Sequence, residues 1–160
     1  MLKYRLVEKR DNVALAALIR GVFDEFGLPQ EGTVYNEPTT DNLYSLFEHD
    51  KAELWVAERD NIVVGCCGIY PTDGLPYDCT ELVKYYLSPE ERGKGVGVNL
   101  FKFAIDSAKK MGYIQVYIET FPEFTKAITL YNQFGFISLE EPFGNCGHTP
   151  CSIWMIKSIE

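Results

Sequence analysis

Three glycines alternate within the segment R-G-K-G-V-G, residues 92–97, which lies between a predicted strand and a predicted helix. The strand covers about Thr80 to Leu87, and the helix carries Phe101, Ala104 and Ala108 on one side. A strand that turns through glycines into a helix directs several backbone N–H groups and the positive end of the helix dipole toward one point. Such a turn predicts a sheet packed against helices and, at the turn, a site that suits a phosphate group.

Three other interpretations of the glycine segment can be tested on its residues. A Walker loop requires G-x-x-x-x-G-K-[ST], and neither Gly-Lys-Ser nor Gly-Lys-Thr occurs in the chain. A dinucleotide fingerprint G-x-G-x-x-G does not fit, because the glycines stand at positions 93, 95 and 97. A helix start without a ligand would gain little from glycines, which weaken a helix. The segment is best explained by a ligand that approaches the backbone closely.

The other patterns predict an α/β architecture (α+β by some schemes) in one domain, residues 1–160. The order is β α α β β β α β α β β, a mixed sheet with helices packed on it. Gly27 ends the first helix, and a long loop to Asp41 follows it. The short turn at Asp60 and Asn61 predicts an antiparallel hairpin.

Alternation along the strand Thr80 to Leu87 predicts which side chains lie together. With a period of two, Glu81, Val83, Tyr85 and Leu87 share one face. Glu81 would then lie on the same side of the sheet as Tyr85.

Composition limits the classes of partner. The content of 46% hydrophobic residues, with 10 Tyr and 10 Phe, is ample for a sizeable core. The net charge of −8 argues against a nucleic-acid or anionic-membrane surface and makes a cationic partner the more natural one. No stretch approaches the ~20 apolar residues of a membrane span, so we expect a cytoplasmic protein.

The cysteines predict neither a disulfide framework nor a metal site. Their number is odd and they lack C-x-x-C spacing, which favours reduced thiols: Cys66, Cys67, Cys79, Cys146 and Cys151. Cys146, His148 and Cys151 together would supply only three metal ligands at an unusual spacing. We therefore expect no metal.

Two blocks of the chain resemble the GNAT superfamily of N-acetyltransferases. Residues 92–97 resemble its R/Q-x-x-G-x-G/A pyrophosphate loop, and Tyr85 to Pro89 resembles the strand before that loop. Ala127 to Phe136 resembles the family's A-x-x-L-Y-x-x-x-G-F helix-to-strand segment. The blocks lie in the family's order and separation. The resemblance implies a mixed, mostly antiparallel sheet of about six to seven strands flanked by about four helices.

The resemblance also implies acetyl-CoA as co-substrate. In the family, the strand before the loop diverges from its neighbour, and its unpaired backbone groups bind the pantetheine and the thioester carbonyl. Many members have an asparagine three residues before the alanine of the second block, where this chain has Phe124, which could cover the cofactor by packing or leave that contact missing. The implied cofactor-binding residues are Tyr85, Tyr86, Leu87, Arg92, Gly93, Lys94, Gly95, Val96, Gly97, Val98 and Phe124.

Two residues match positions that carry catalysis in the family. Tyr131 matches a tyrosine that donates a proton to the departing sulfur, although an aromatic residue on an amphipathic helix can also be plain core. Glu81 lies where some members place a catalytic glutamate that deprotonates the amine, and its alternative is an exposed or ion-paired residue at a strand end. The implied reaction is direct transfer of an acetyl group to a small-molecule or peptide amine, with no nucleic acid or membrane involved.

The acceptor side is predicted from the loops. Tyr35 in the long loop and His148 and Cys151 near the C-terminus are candidate acceptor contacts, although a loop histidine bonded to backbone needs no function. A homodimer is possible. Two alternatives to an acetyltransferase stay open at this stage: a non-catalytic acyl-CoA-binding regulatory domain, and an acyltransferase for a longer acyl chain.

Overall fold

The computed structural model describes residues 1–144 and 150–160, and within them the chain forms a seven-stranded sheet flanked by four α-helices. The order of elements matches the predicted order, which confirms the fold class. The elements are β1 (Leu2–Leu6), α1 (Asn12–Phe26), α2 (Leu43–Leu46), β2 (Glu53–Arg59), β3 (Ile62–Tyr70), β4 (Cys79–Leu87), α3 (Val96–Lys110), β5 (Gln115–Thr120), α4 (Thr125–Gln133), β6 (Ile137–Leu139) and β7 (Ile153–Ser158).

The strands lie in the order β1-β2-β3-β4-β5-β7-β6. Every neighbouring pair is antiparallel except β4 and β5, which are parallel, so the sheet is mixed and mostly antiparallel as predicted. The hairpin between β2 and β3 is also confirmed. Asp60 and Asn61 have φ of 51° and 69°, the left-handed backbone that a two-residue type I′ turn requires.

The sheet separates two hydrophobic cores. On one face, α3 and α4 pack against the strands through residues such as Phe101 and Tyr131. On the other face, α1 and α2 contribute Phe23 and Leu43. Each helix buries one apolar stripe and leaves its other side in water, which is why the helical periodicity could be recognised in the sequence.

Strand β4 contains a β-bulge at Lys84. The pairing of β3 with β4 shifts between Cys66 and Gly68, so that Lys84 and Tyr85 together lie opposite one residue of β3. Lys84 has φ of 55°, in the left-handed region that side chains other than glycine seldom adopt. Such a bulge bends the strand and interrupts the alternation of its side chains.

The bulge corrects the predicted face of β4. Val83 packs in the core beside α1, whereas Tyr85 and Leu87 pack in the core beside α3. The prediction that Glu81, Val83, Tyr85 and Leu87 share one face is therefore wrong. A period of two holds only while the ladder is unbroken, and one extra residue moves every later side chain to the opposite face.

Within the described ranges, no helix is long and apolar enough to cross a membrane. The same ranges contain no group of three or more His, Cys, Asp or Glu side chains that could hold a metal ion. Four cysteines are buried free thiols: Cys66, Cys67, Cys79 and Cys151.

Candidate active site

Strands β4 and β5 diverge soon after they begin to pair. Their parallel ladder joins only Cys79–Glu81 to Gln115–Tyr117. Beyond it, β4 continues along β3 to Leu87, while β5 continues along β7 to Thr120. From Leu82 onward, one backbone edge of β4 faces no strand in the described part of the chain. Such an edge can hydrogen-bond a ligand that lies along it like an added strand.

The gap between the strands opens into a cavity of about 420 Å³. This volume is within the ~300–1,000 Å³ typical of small-molecule and cofactor sites. Strand β4, the end of β5, α1, α4 and the start of α3 form its walls. The predicted cofactor and catalytic residues that line it are Glu81, Tyr85, Tyr86, Leu87, Arg92, Gly93, Gly95, Gly97, Val98, Phe124 and Tyr131. Lys94 is instead exposed, and Val96, the first residue of α3, is buried in the core.

The glycine turn leaves its backbone open at the start of α3. Gly93 and Gly95 have φ of 78° and 83°, a left-handed backbone that strains any other residue. A Cβ added to either glycine would meet no atom within 4 Å, so the space beside them is open. Gly95 directly precedes α3, whose first N–H groups have no helical acceptor. The turn can therefore cradle an anion.

Gly97 is required for a different reason. The Tyr85 hydroxyl donates a hydrogen bond of 2.6 Å to the Gly97 carbonyl and fastens β4 to the first turn of α3. A Cβ on Gly97 would lie 3.0 Å from that same hydroxyl oxygen. A glycine here allows strand and helix to approach closely enough for the hydrogen bond to form.

Arg92 anchors the glycine turn to α1. Its guanidinium donates two hydrogen bonds to Glu25, at 2.5 and 2.9 Å, and a third to the Leu87 carbonyl at 3.1 Å. It also lies over the ring of Phe26, 5.2 Å from the centroid. The hydrogen bond from Arg92 lowers the pKa of Glu25, which keeps the pair charged. This side chain therefore holds α1, β4 and the turn together at one end of the cavity.

Glu81 lies at the point where β4 and β5 separate. It is the last residue of β4 in the parallel ladder, and only 4% of its surface is exposed. The Thr72 hydroxyl donates a 2.6 Å hydrogen bond to its Oε1 atom. The exposed strand-end glutamate considered above is therefore not what the structure contains. Instead, an oriented carboxylate borders the cavity.

Tyr131 borders the same cavity from α4. Its ring packs against Phe101, Phe136 and Tyr85 with centroid distances of 6.0, 5.9 and 6.3 Å. Burial raises the pKa of Tyr131 well above its ordinary value, so the hydroxyl keeps its proton at neutral pH. A buried phenol that opens on a cavity can donate a proton but is a poor base.

Residues 19–136 match the acetyltransferase (GNAT) family. The chain belongs to this family. It is 35% identical over 156 residues to the uncharacterized N-acetyltransferase YjgM of Escherichia coli K12, an alignment that covers 97% of this chain and 93% of YjgM. The family match confirms the resemblance in the sequence and identifies the protein as an acyltransferase.

Solved acetyltransferase structures have the same fold. An acetyltransferase of the GNAT family from Staphylococcus aureus Mu50 superposes with a TM-score of 0.87 at 16% identity, over 100% of both chains. The Salmonella typhimurium protein yncA, solved with its cofactor acetyl-CoA, superposes with a TM-score of 0.78 at 18% identity, over 99% of this chain and 94% of yncA. At such identities the likeness concerns the fold alone.

Phe124 and Cys151 complete the lining of the GNAT cavity. The Phe124 ring packs edge-to-face on Phe26 at 5.2 Å and on Phe121 at 6.1 Å, and so joins α4 to α1 across the cavity. Cys151 is buried, and this burial raises the pKa of its thiol to about 12, with the nearby charges of Glu119 and Glu81 adding to the effect. Its thiol is therefore protonated at neutral pH and a weak nucleophile.

Of the remaining predicted acceptor residues, the structure describes Tyr35. The Tyr35 ring packs on Phe23 at 6.0 Å, outside the lining of the cavity, and its carbonyl accepts a 3.0 Å hydrogen bond from Arg20. Any acceptor role of Tyr35 stays a prediction. His148 lies outside the described residues.

Sequence reasoning missed Thr72 and Lys84. The residues around Thr72 predict a turn and nothing more. The hydrogen bond from Thr72 to Glu81 depends on tertiary packing. The alternation of β4 gives no warning that Lys84 is a bulge residue. Lys84 is only 8% exposed, which is unusual for a lysine and depends on how the strand packs in the fold.

Proposed function

We propose that this GNAT acetyltransferase takes its acetyl group from acetyl-CoA and transfers it directly to the nitrogen of an amine. The observation that carries the proposal is the divergence of β4 from β5 beside the glycine turn. An extended pantetheine arm needs a free strand edge, and a pyrophosphate needs the start of a helix. This chain has both features around one cavity. The acetyl-CoA in the yncA structure supports the same ligand here.

The residues present fit acetyl-CoA. The open backbone of Gly93 and Gly95 and the first N–H groups of α3 would hold the pyrophosphate, because a Cβ at either glycine would occupy the space a phosphate needs. The unpaired edge of β4 from Leu82 to Leu87 would hold the pantetheine. Arg92 supports the cradle by fixing it to α1 rather than by reaching into it.

Glu81 and Tyr131 have complementary chemistry. Bound acetyl-CoA supplies a thioester, which an amine attacks only in its neutral form. Glu81 accepts the proton of the amine, directly or through a water, as the N–C bond forms. Tyr131 donates its proton to the sulfur as the C–S bond breaks, and its high pKa ensures that this proton is present. The location of both residues in the lining of one cavity supports these roles.

Direct transfer is favoured over an acetyl-enzyme. The only thiol that lines the cavity in the described part of the chain is Cys151, and its pKa of about 12 leaves almost no thiolate at neutral pH. A covalent route through Cys151 would first have to deprotonate this buried thiol.

An acceptor screen tests the proposal. Amines of different classes are incubated with the protein and acetyl-CoA, and released CoA is followed with a thiol reagent. We expect release that depends on an amine and initial-rate lines that intersect when both substrates are varied. Repeating the screen with propionyl-CoA and longer acyl-CoAs measures the acyl-chain preference. Parallel lines would instead indicate an acetyl-enzyme, and no release with any amine would refute the proposed reaction.

A further inference from the structure

An acidic side chain stands close to the glycine turn. Glu91 ends a short 3₁₀ turn, Pro89–Glu91, and comes two residues before Gly93, so the Cα atoms of Glu91 and Gly93 are at most ~7.6 Å apart. Only 4% of Glu91 is exposed. Like charges at this range are only partly screened by salt, so an uncompensated carboxylate here would repel a pyrophosphate bound at the turn. A phosphate site at this position requires that the charge of Glu91 be cancelled.

Arg59 supplies the compensating charge. From the end of β2, its Nε and Nη2 atoms donate hydrogen bonds of 2.8 and 2.9 Å to the two carboxylate oxygens of Glu91. A bidentate pair of this kind is stronger and more specific in geometry than a single contact. No other described residue donates a hydrogen bond to this carboxylate. The charge at the glycine turn therefore depends on a residue 32 positions earlier in the chain.

The electrostatics of Glu91 agree with this arrangement. The hydrogen bond from Arg59 lowers the pKa of Glu91, and the charge of Lys94 lowers it further. Glu91 is therefore ionised at neutral pH, and its charge interacts with the middle of the glycine turn, where Lys94 lies. Lys94 itself is exposed, so water screens its charge. It is a weaker partner for Glu91 than Arg59, which contacts the carboxylate directly.

The other charges beside the turn are compensated separately. Arg92 is paired with Glu25 of α1, and Glu90 is exposed to water. Within residues 88–97, each charged side chain that is not exposed thus has a partner of opposite sign. The backbone N–H groups and the start of α3 then dominate the potential that a phosphate meets.

We propose that Arg59 is a positioning residue of the acetyl-CoA site, which acts through Glu91 by keeping the glycine turn free of uncompensated negative charge. The inference rests on the proposed function, because it takes this turn as the pyrophosphate cradle. Loss of Arg59 leaves an ionised, nearly buried carboxylate beside the pyrophosphate. Loss of Glu91 as well removes the source of the repulsion, so Arg59 is then no longer needed.

Calorimetry of acetyl-CoA binding tests the inference in three variants. Arg59→Gln should raise the Kd on the order of tenfold at low ionic strength, because one uncompensated charge then repels the pyrophosphate. Glu91→Gln should bind at least as tightly as the unmodified protein. The double variant Arg59→Gln/Glu91→Gln should return to within about threefold of the unmodified protein, because the two residues form one unit and their effects are not additive.

Two controls separate this electrostatic role from a structural one. Arg20→Gln removes the same charge and a bidentate pair with Asp41; neither residue lines the cavity, so the Kd should not change. S-acetylpantetheine has the same thioester but no phosphate, and its kcat/KM with an acceptor from the screen should be equal for Arg59→Gln and the unmodified protein. Melting temperatures check that each variant is folded.

The outcomes separate this inference from the proposed function. The role of Arg59 is overturned by an unchanged Kd in Arg59→Gln, by a similar loss in Arg20→Gln or Glu91→Gln, or by a double variant that stays as weak as Arg59→Gln. An equal loss of kcat/KM with S-acetylpantetheine also overturns it. In all these cases, acetyl-CoA binding and turnover by the unmodified protein leave the proposed function standing. If no amine releases CoA but the Kd values follow the expected pattern, the proposed reaction is wrong and the role of Arg59 stands. An unmodified protein that does not bind acetyl-CoA overturns both.

Discussion

Removal of a single hydroxyl group, in Tyr131→Phe, tests the proposed acid directly. The ring contacts with Phe101, Phe136 and Tyr85 are retained. The hydroxyl makes no hydrogen bond to another described residue and is not sealed from the cavity, so its loss breaks no internal bond. We therefore expect the free energy of unfolding to change by less than about 1 kcal/mol.

The expected effect on catalysis is much larger. Loss of a general acid costs on the order of 10²-fold in kcat, or about 2.7 kcal/mol of transition-state stabilisation. The proton donor acts mainly as the C–S bond breaks, so the affinity for acetyl-CoA should stay within about threefold. CoA release measures kcat with an identified acceptor, and calorimetry measures the binding of acetyl-CoA.

Tyr113→Phe is a matched control. Tyr113 is also buried, but its hydroxyl donates a 2.8 Å hydrogen bond to the Lys51 carbonyl, away from the cavity. This variant should lose about 1 kcal/mol of stability and keep its kcat. A Tyr131→Phe variant that is as active as the unmodified protein would reduce Tyr131 to a packing residue. So would an equal loss of kcat in both variants, which would trace the effect to general loosening of the fold.

The pH profile gives a second check on Tyr131. A proton donor works while it is protonated, that is, below its pKa. Because burial raises the pKa of Tyr131 well above the ordinary value, the group should stay active throughout pH 6 to 9. From pH 6 to 9, the pH–rate profiles of the unmodified protein and of Tyr131→Phe should therefore have the same shape. The unmodified protein should show no decline in rate at alkaline pH that the variant lacks. Such a decline would contradict the buried, protonated phenol.

Three further predictions concern the base, the phosphate cradle and the cavity thiol. Glu81→Gln should keep acetyl-CoA binding but lower the rate at neutral pH by roughly 10²-fold, with partial recovery at higher pH as more free amine forms; a full rate across that pH range would move the base elsewhere. Gly95→Val should abolish acetyl-CoA binding in calorimetry. Gly112→Val is the control, because Gly112 lies at the other end of α3 with a positive φ and open surroundings like those of Gly95. Backbone strain should destabilise both variants by a similar ~1–2 kcal/mol, but Gly112→Val should bind acetyl-CoA normally. Equal binding by both would place the pyrophosphate elsewhere. Cys151, with a pKa of about 12, should react with iodoacetamide at pH 7.5 far more slowly than a free cysteine, and mass spectrometry should find no acetyl group on it after incubation with acetyl-CoA alone.

Local structure could be read from the sequence because it depends on neighbouring residues. Gly27 ends α1 with a left-handed φ of 63°, as its position after the last apolar residue predicted. The amphipathic face of α3 needs only the spacing of Phe101, Ala104 and Ala108. The open backbone at Gly93 and Gly95 likewise follows from glycines placed before a helix. In each case the physical cause lies within a few residues of the feature.

Long-range contacts were beyond the reach of such patterns. Arg92 matched a cofactor loop, yet its guanidinium is paired with Glu25, 67 positions away in the sequence. Glu81 could not be distinguished from an exposed strand-end residue until the structure showed its burial and its bond to Thr72. Charge and burial at these positions depend on which elements pack together, and no local period encodes that.

The sequence by itself determined the elements of this protein, their order and the residues of the phosphate turn, because period, turn chemistry and glycine geometry are local. Only the tertiary structure decided that β4 leaves β5 after three paired residues and that a bulge at Lys84 moves the later side chains of the strand to the opposite face. Both depend on the register between strands that are distant in sequence, and a shift of one residue there exchanges the faces of the sheet. That register opens the gap in the sheet and sets Glu81 where the two strands separate.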